Sequence, residues 1–256
     1  MKNLVFVKLG GSLITDKSRP YTIREDVIKR ICEEIHEARK GRPLLIGHGG
    51  GSFPHVSASE YETHKGLIND KSWEGFVKVQ DDAAKLNRII ISSLIGAGER
   101  AISFQPSASC IAREDHIIEW YTKPIETSLS EGLIPVPYGD VCLDLKKGFC
   151  IISTEEVFRF LAKKLEPERI IMVGKTDGVL DSEGKVIKEI TRRNFDHIKK
   201  SLASSDGIAD VTGGMVLKVE KALGMGTEVE IINGLKANVL KRSLLGERGL
   251  GTNVKG

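Results

Sequence analysis

Ile46-Gly47-His48-Gly49-Gly50-Gly51-Ser52-Phe53-Pro54-His55 is the most informative run in this chain of 256 residues. Three successive glycines follow the short apolar stretch Leu44-Leu45-Ile46, and a histidine lies four residues past the last of them. A short apolar run bounded by turn residues reads as a buried strand. Glycines at its end let the backbone pass close to a ligand with its N–H groups pointing outward, a geometry that suits a phosphate. His55 stands where it can hydrogen-bond that phosphate. A tight turn with a partly buried histidine has the same sequence, so the neighbouring segments must decide between the two.

Outward from that loop, short β-branched runs alternate with longer amphipathic stretches. Leu4–Leu9, 44–47, 101–105, 134–138, 169–173 and 229–232 read as strands. Residues 24–40 place Val27, Ile28, Ile31, Ile35 and Ala38 at helical spacing, and 73–97 do the same with Phe76, Val79, Ala83, Leu86, Ile90 and Leu94. Residues 155–165, 215–223 and 238–244 are further helices, and 141–145 with 149–152 form a hairpin across Lys146-Lys147-Gly148. This alternation predicts an α/β protein with a mainly parallel sheet covered by helices on both faces. Residues 181–205 are polar and poorly periodic, and read as an insertion or lobe edge. A soft boundary falls at 165–168, dividing one domain of 1–256 into an N-terminal lobe, 1–165, and a C-terminal lobe, 166–256.

Three more glycine-centred segments sit at predicted strand ends or a helix start. Lys8-Leu9-Gly10-Gly11-Ser12 follows the first strand, with Lys17 seven residues beyond Gly10. Gly174-Lys175-Thr176-Asp177-Gly178 follows residues 169–173, where open α/β sheets bind ligands beyond their strand ends. In Asp210-Val211-Thr212-Gly213-Gly214-Met215, Asp210 or Thr212 can cap the helix that carries Lys218, and its first N–H groups face an anion. Each segment also has a plain reading as a turn or a capped helix. Neither a Walker loop nor a dinucleotide fingerprint is present, and no G-x-S-x-G elbow marks a serine hydrolase.

Bulk properties narrow the classes. With 38 basic and 35 acidic residues the net charge is +3, and aromatics are 5%. Neither favours a nucleic acid or an acidic membrane surface as partner. Cys32, Cys110, Cys142 and Cys150 form no C-x-x-C pair and read as buried free thiols of a reducing compartment, so a cytoplasmic protein is expected. The spacing of His48, His55 and His64 does not match a zinc site, and no residue is assigned as a metal ligand.

Taken in order, Lys8–Ser12 with Lys17, 48–53 with His55, Gln105-Pro106-Ser107, 135–140, Thr176-Asp177-Gly178-Val179, 210–215 and the closing Gly251-Thr252 resemble the amino acid kinase family. The resemblance implies a three-layer αβα sandwich, a homodimer and ATP with Mg2+ as phosphoryl donor. Within the family, a histidine after the second glycine loop separates this chain from members acting on acetylglutamate, aspartate or UMP. It implies an acceptor that is itself a phosphate, isopentenyl phosphate, giving isopentenyl diphosphate. Another small phosphate or phosphonate such as fosfomycin is the alternative acceptor, and a non-catalytic nucleotide-binding relative is the alternative class.

Carried over by position, the resemblance implies that Lys8 and Lys17 neutralise the transferring group, with Gly10, Gly11 and Gly51 as N–H donors and Ser12 beside them. His55 and Gly50 bind the acceptor phosphate, with Thr154 nearby. Asp177, Gly213 and Lys218 hold the nucleotide, and Glu155 orders the lysines where the family has aspartate. A phosphate monoester acceptor ionises with a pKa near ~6, so transfer depends on alignment and cations rather than on a strong base. A prenyl tail needs an apolar tunnel, expected between Tyr61 and Phe104. Pro54, Thr154 and Lys175 depart from the family pattern, which has Gly, Gly and an acid there.

Overall fold

The computed structural model describes residues 2–203 and 209–256, with side chains outside the description over 201–203 and 209–213. In chain order the first half holds β1 (Val5–Leu9), α1 (Gly11–Ile14), α2 (Glu25–Arg39), β2 (Leu44–His48), α3 (Pro54–Glu60), α4 (Lys71–Gly96), β3 (Ala101–Phe104), β4 (Cys110–Arg113), β5 (His116–Trp120), α5 (Lys123–Ser130), β6 (Ile134–Pro137), β7 (Asp140–Asp144), β8 (Gly148–Ile152) and α6 (Thr154–Leu165). The second half adds β9 (Arg169–Gly174), β10 (Glu189–Thr191), α7 (Arg192–Ala203), α8 (Ala209–Leu223), β11 (Val229–Asn233), α9 (Val239–Leu244) and β12 (Thr252–Lys255).

All five residues of β1 are buried, as expected for a strand covered on both faces. Its side chains alternate between two cores. Val5, Val7 and Leu9 join a cluster with Ile28, Ile31 and Ile35 of α2 and Leu86, Ile90 and Leu94 of α4. Phe6 joins a second cluster with Val157, Phe158 and Leu161 of α6 and Val219 and Ala222 of α8. Each such side chain contributes roughly 1.5–3 kcal/mol when fully buried, so the period of 3.6 on the helices and 2 on the strands sets the layering. The result is the three-layer αβα sandwich.

The main sheet has the order β10-β12-β11-β9-β1-β2. β1 pairs in parallel with β2 and β9, and β9 in parallel with β11. Only β12 against β11 is antiparallel within it. A parallel bridge from His48 to Tyr138 brings the β3–β6 pair alongside β2. A separate four-stranded sheet, β5-β4-β7-β8, contains the expected hairpin and leads into α6. Because β1, β2, β9 and β11 point the same way, their carboxyl ends open onto one edge of the molecule, and the glycine segments follow them there.

Residues 181–205 are not a plain insertion. They include edge strand β10 and helix α7, whose Phe195 and Ile198 reach the core beside α8. Two anchors three residues apart among mostly charged neighbours give little periodic signal, which is why the stretch reads as irregular. The four cysteines are buried free thiols, as expected.

Candidate functional site

Two glycine loops meet at the edge where β1 and β2 end. A Cβ on Gly11 would lie 2.4 Å from the Gly51 nitrogen, and one on Gly49 would lie 2.9 Å from the Gly11 nitrogen. Gly51 has φ +58°, and its Cβ would strike Thr15 Oγ1 at 2.2 Å. The glycines are thus required first by loop-on-loop contact, backbone against backbone. That contact leaves the N–H groups of Gly11, Ser12, Gly50 and Gly51 without a protein acceptor among the described residues. Gly10 differs from the expectation: its N–H donates to Val173 O at 2.8 Å, so it joins β1 to β9 and has no donor to spare.

Pro54 is the first residue of α3, where its missing N–H costs nothing and its fixed φ suits the helix. Its ring covers Gly50, whose Cβ would meet Pro54 Cγ at 2.3 Å. His55 follows as the second residue of α3 and faces the cleft. Crowding by the cleft wall, and then the Lys17 charge, hold its imidazole below the ordinary value. At neutral pH it is therefore an uncharged donor and acceptor.

The loops floor a cleft of about 590 Å³, into which Lys8, Lys17, Lys175 and Lys218 project. Lys8, only 6% exposed near the end of β1, bonds Glu155 at 2.5 Å. Burial by itself would raise the Glu155 carboxyl; the Lys8 charge and hydrogen bond, with help from Lys221, instead bring it down to about 2. Glu155, one residue into α6, is therefore ionised and holds the Lys8 ammonium. Desolvation, then repulsion from Lys8 and Lys17, lowers the Lys218 ammonium, partly offset by Glu155. Three lysines from β1, the loop after α1, and α8 thus share one field. The cleft's other carboxyl, Asp140, is pushed up to about 6 by burial, against hydrogen bonds from the Ser107 and Val141 N–H groups. Four ammonium groups face one firmly ionised carboxylate, so the cleft attracts a multiply charged anion.

Thr154 lines the cleft, but its hydroxyl donates to His48 O at 2.6 Å. Its methyl needs the glycine at 47, since a Cβ there would sit 2.8 Å from Thr154 Cγ2. Thr154 thereby clamps α6 onto β2, and its proton is already committed. Asp177 is not among the cleft-lining residues; Lys236 at 2.6 Å and Asn233 at 2.9 Å hold its carboxylate, and their hydrogen bonds lower its pKa. α8 begins at Ala209, so Asp210, Thr212 and Gly213 fall inside its first turns and neither capping candidate precedes the helix as expected; their side chains lie outside the described residues, while Gly214 and Met215 border the cleft.

Beyond His55 the wall is apolar, formed by Pro54, Ala58, Val79, Ile151 and Ile152. Tyr61 and Phe104 do not line it. Tyr61 packs over Gly75, whose Cβ would come within 2.5 Å of it, and Phe104 packs against the core. Ser153, which no glycine segment singles out, caps α6, and Ser153-Thr154-Glu155-Glu156 has the form of a capping box. Lys175 was visible in its loop, but its entry into the cleft follows only from the pairing of β9 with β1.

A parallel sheet sandwiched by helices, with paired glycine loops and convergent lysines at its carboxyl edge, defines a class. The amino acid kinase family profile matches residues 3–232, and the chain belongs to that family. It is 36% identical over 255 aligned residues to an isopentenyl phosphate kinase of Methanocaldococcus jannaschii, covering 95% of this chain and 96% of the relative. An isopentenyl phosphate kinase of Methanothermobacter thermautotrophicus is 37% identical, with 99% of each chain covered. A crystal structure of isopentenyl phosphate kinase superposes with a TM-score of 0.84 at 32% identity, covering 98% of this chain and 100% of that one.

Proposed function

We propose that this chain transfers the γ-phosphoryl group of ATP to isopentenyl phosphate, giving isopentenyl diphosphate and ADP. The observation that carries this reading is the juxtaposition, in one cleft, of a lysine cluster, free loop N–H groups and an apolar wall starting at His55. Kinship to isopentenyl phosphate kinases supports the same acceptor.

In this reading, His55 and the Gly50 N–H hold the acceptor phosphate while its tail lies along Val79, Ile151 and Ile152. The Gly11 and Gly51 N–H groups, with Lys8, Lys17 and Lys218, surround the transferring group. An acceptor oxygen attacks the γ-phosphorus, the bond to the β,γ-bridging oxygen breaks, and its electron pair leaves with ADP. Ionised already at neutral pH, the acceptor needs no proton removed. The cations offset charge on the equatorial oxygens. Both cleft carboxyls are engaged, Glu155 by Lys8 and Asp140 by backbone N–H groups. Mg2+ therefore fits best as part of the nucleotide substrate, held by phosphate oxygens, where it supplies charge neutralisation. The lobe 1–165 binds the acceptor and 166–256 the nucleotide. A homodimer follows from the family resemblance, and the buried thiols favour the cytoplasm; sedimentation tests the first.

An ATP-consumption panel of isopentenyl phosphate, dimethylallyl phosphate, geranyl phosphate, fosfomycin and UMP tests the acceptor. Isopentenyl phosphate is expected to give the highest kcat/KM, and His55→Ala to abolish nearly all of it. Turnover of fosfomycin or UMP without isopentenyl phosphate would overturn the reading.

A further inference from the structure

Ser153 sits at the start of α6 and borders the cleft. Its Oγ accepts the Glu156 N–H at 3.3 Å and the Lys221 ammonium at 2.9 Å. A serine hydroxyl offers two acceptor lone pairs and one donor hydrogen. With both lone pairs taken, the hydrogen is confined to the remaining tetrahedral direction. Ser153 Oγ donates to no acceptor among the described residues, so this hydrogen is available to an anion in the cleft.

The other partner comes from α8, which packs against α6 in the same core. Lys221 lies three residues after Lys218 on α8, so the two share a helix face. Ser153 lies two residues before Glu155, the partner of Lys8. The Lys221–Ser153 bond therefore connects the helix that carries Lys218 to the turn that places the Lys8–Glu155 pair. A lysine whose only duty was to solvate a helix end would have no such link, and its loss would leave the cleft's geometry unchanged.

Resting on the phosphoryl-transfer reading above, we propose that Lys221 is a positioning residue that ties α8 to the first turn of α6 through Ser153. It keeps Lys218 in register with the Lys8–Glu155 pair and turns the Ser153 hydroxyl hydrogen toward the transferring phosphoryl group. Lys221 touches no substrate; it acts through Ser153.

The test is steady-state kinetics with ATP and isopentenyl phosphate on the full chain, with Tm measured alongside. The variants are Lys221→Met, Lys221→Arg, Ser153→Ala and the Lys221→Met/Ser153→Ala pair. Lys221→Met and Ser153→Ala are each expected to lower kcat about tenfold, with both KM values within about threefold, because a small misplacement acts on the reacting geometry. Lys221→Arg restores kcat to within about threefold of the parent, and the double variant is no slower than Lys221→Met alone. A Lys221→Met kcat within about twofold of the parent, or losses that multiply in the double variant, would overturn the proposal. If the parent protein phosphorylates no acceptor, the phosphoryl-transfer reading fails by itself. The same variant cycle in ATP affinity, read by calorimetry, then decides: non-additive losses support the tie, and additive or absent losses overturn it.

Discussion

β9 and β11 begin at one edge of the main sheet and end at the other, and the two edges treat charge in opposite ways. At the amino edge, Arg169 and Glu230 are 2% and 1% exposed and approach to 3.7 Å. Arg169 also donates to Ser243 O, Ser243 Oγ donates to Glu230 at 2.7 Å, and the Leu250 N–H reaches the same carboxylate. Both of these buried charges are closed by partners within the fold. At the carboxyl edge, Lys8 has Glu155, but Lys17, Lys175 and Lys218 have no carboxylate bonded to them among the described residues. The buried pair thus lies where these strands begin, while a surplus of cations, drawn from the loops after α1 and β9 and from α8, gathers where they end. A closed pair is evidence of architecture; the surplus points to a ligand.

The sharpest way to break this contrast is Lys8→Met. Activity should fall about 10³-fold, as for loss of a preorganised group at developing charge. The variant also leaves Glu155 buried without its partner, destabilising the fold by about 3 kcal/mol in urea denaturation. Retained activity would remove Lys8 from the chemistry. Next in size, Arg169→Leu orphans Glu230 and should cost about 3–5 kcal/mol of stability. Its kcat, corrected for the folded fraction, should stay within about threefold of the parent; a larger drop would mean that the two edges are coupled.

The two cleft carboxyls sharpen the contrast further, because their pH dependences have opposite sign. Glu155 ionises near 2 in the fold against an ordinary 4.5, so its stabilisation is complete above about 4.5 and is lost as pH falls through about 2. Asp140 ionises near 6 against an ordinary 3.8, so its stabilisation is complete below about 3.8 and is lost as pH rises through about 6. The unfolding free energy of Asp140→Asn relative to the parent should therefore rise by about 2 kcal/mol between pH 4 and 7. A flat difference would show that folding does not raise the Asp140 pKa. The smallest effect belongs to Lys175→Met, expected to raise KM for ATP about threefold and to weaken its dependence on salt. An unchanged salt dependence would place Lys175 outside the nucleotide's field.

Most of this architecture was legible because burial imposes periods. The alternation in β1 and the 3.6-residue stripes of α2 and α4 are local patterns, and local patterns survive in one dimension. Where few apolar anchors carry an element, as Phe195 and Ile198 do in α7, the pattern fades. The glycine loops were legible as tight turns at strand ends, yet their first cause was hidden: Gly11 and Gly51 are glycine because the two loops touch. The same contact explains why Gly10, though it looks alike, has no N–H to offer. Tyr61 and Phe104 show the converse, since apolar character alone does not say which cavity a ring lines.

By itself the sequence determined the layers, the order of the glycine segments, the family, the lysines that make the cleft cationic and the histidine beside them, because each of these rests on residue type and short-range spacing. Only the tertiary structure decided which charges are paired and which are free. Lys8 meets Glu155 across 147 positions and Lys221 meets Ser153 across 68, while Asp177 leaves the cleft for Lys236. Those outcomes depend on strand register and helix docking, where a few ångströms separate a closed ion pair from an open binding site.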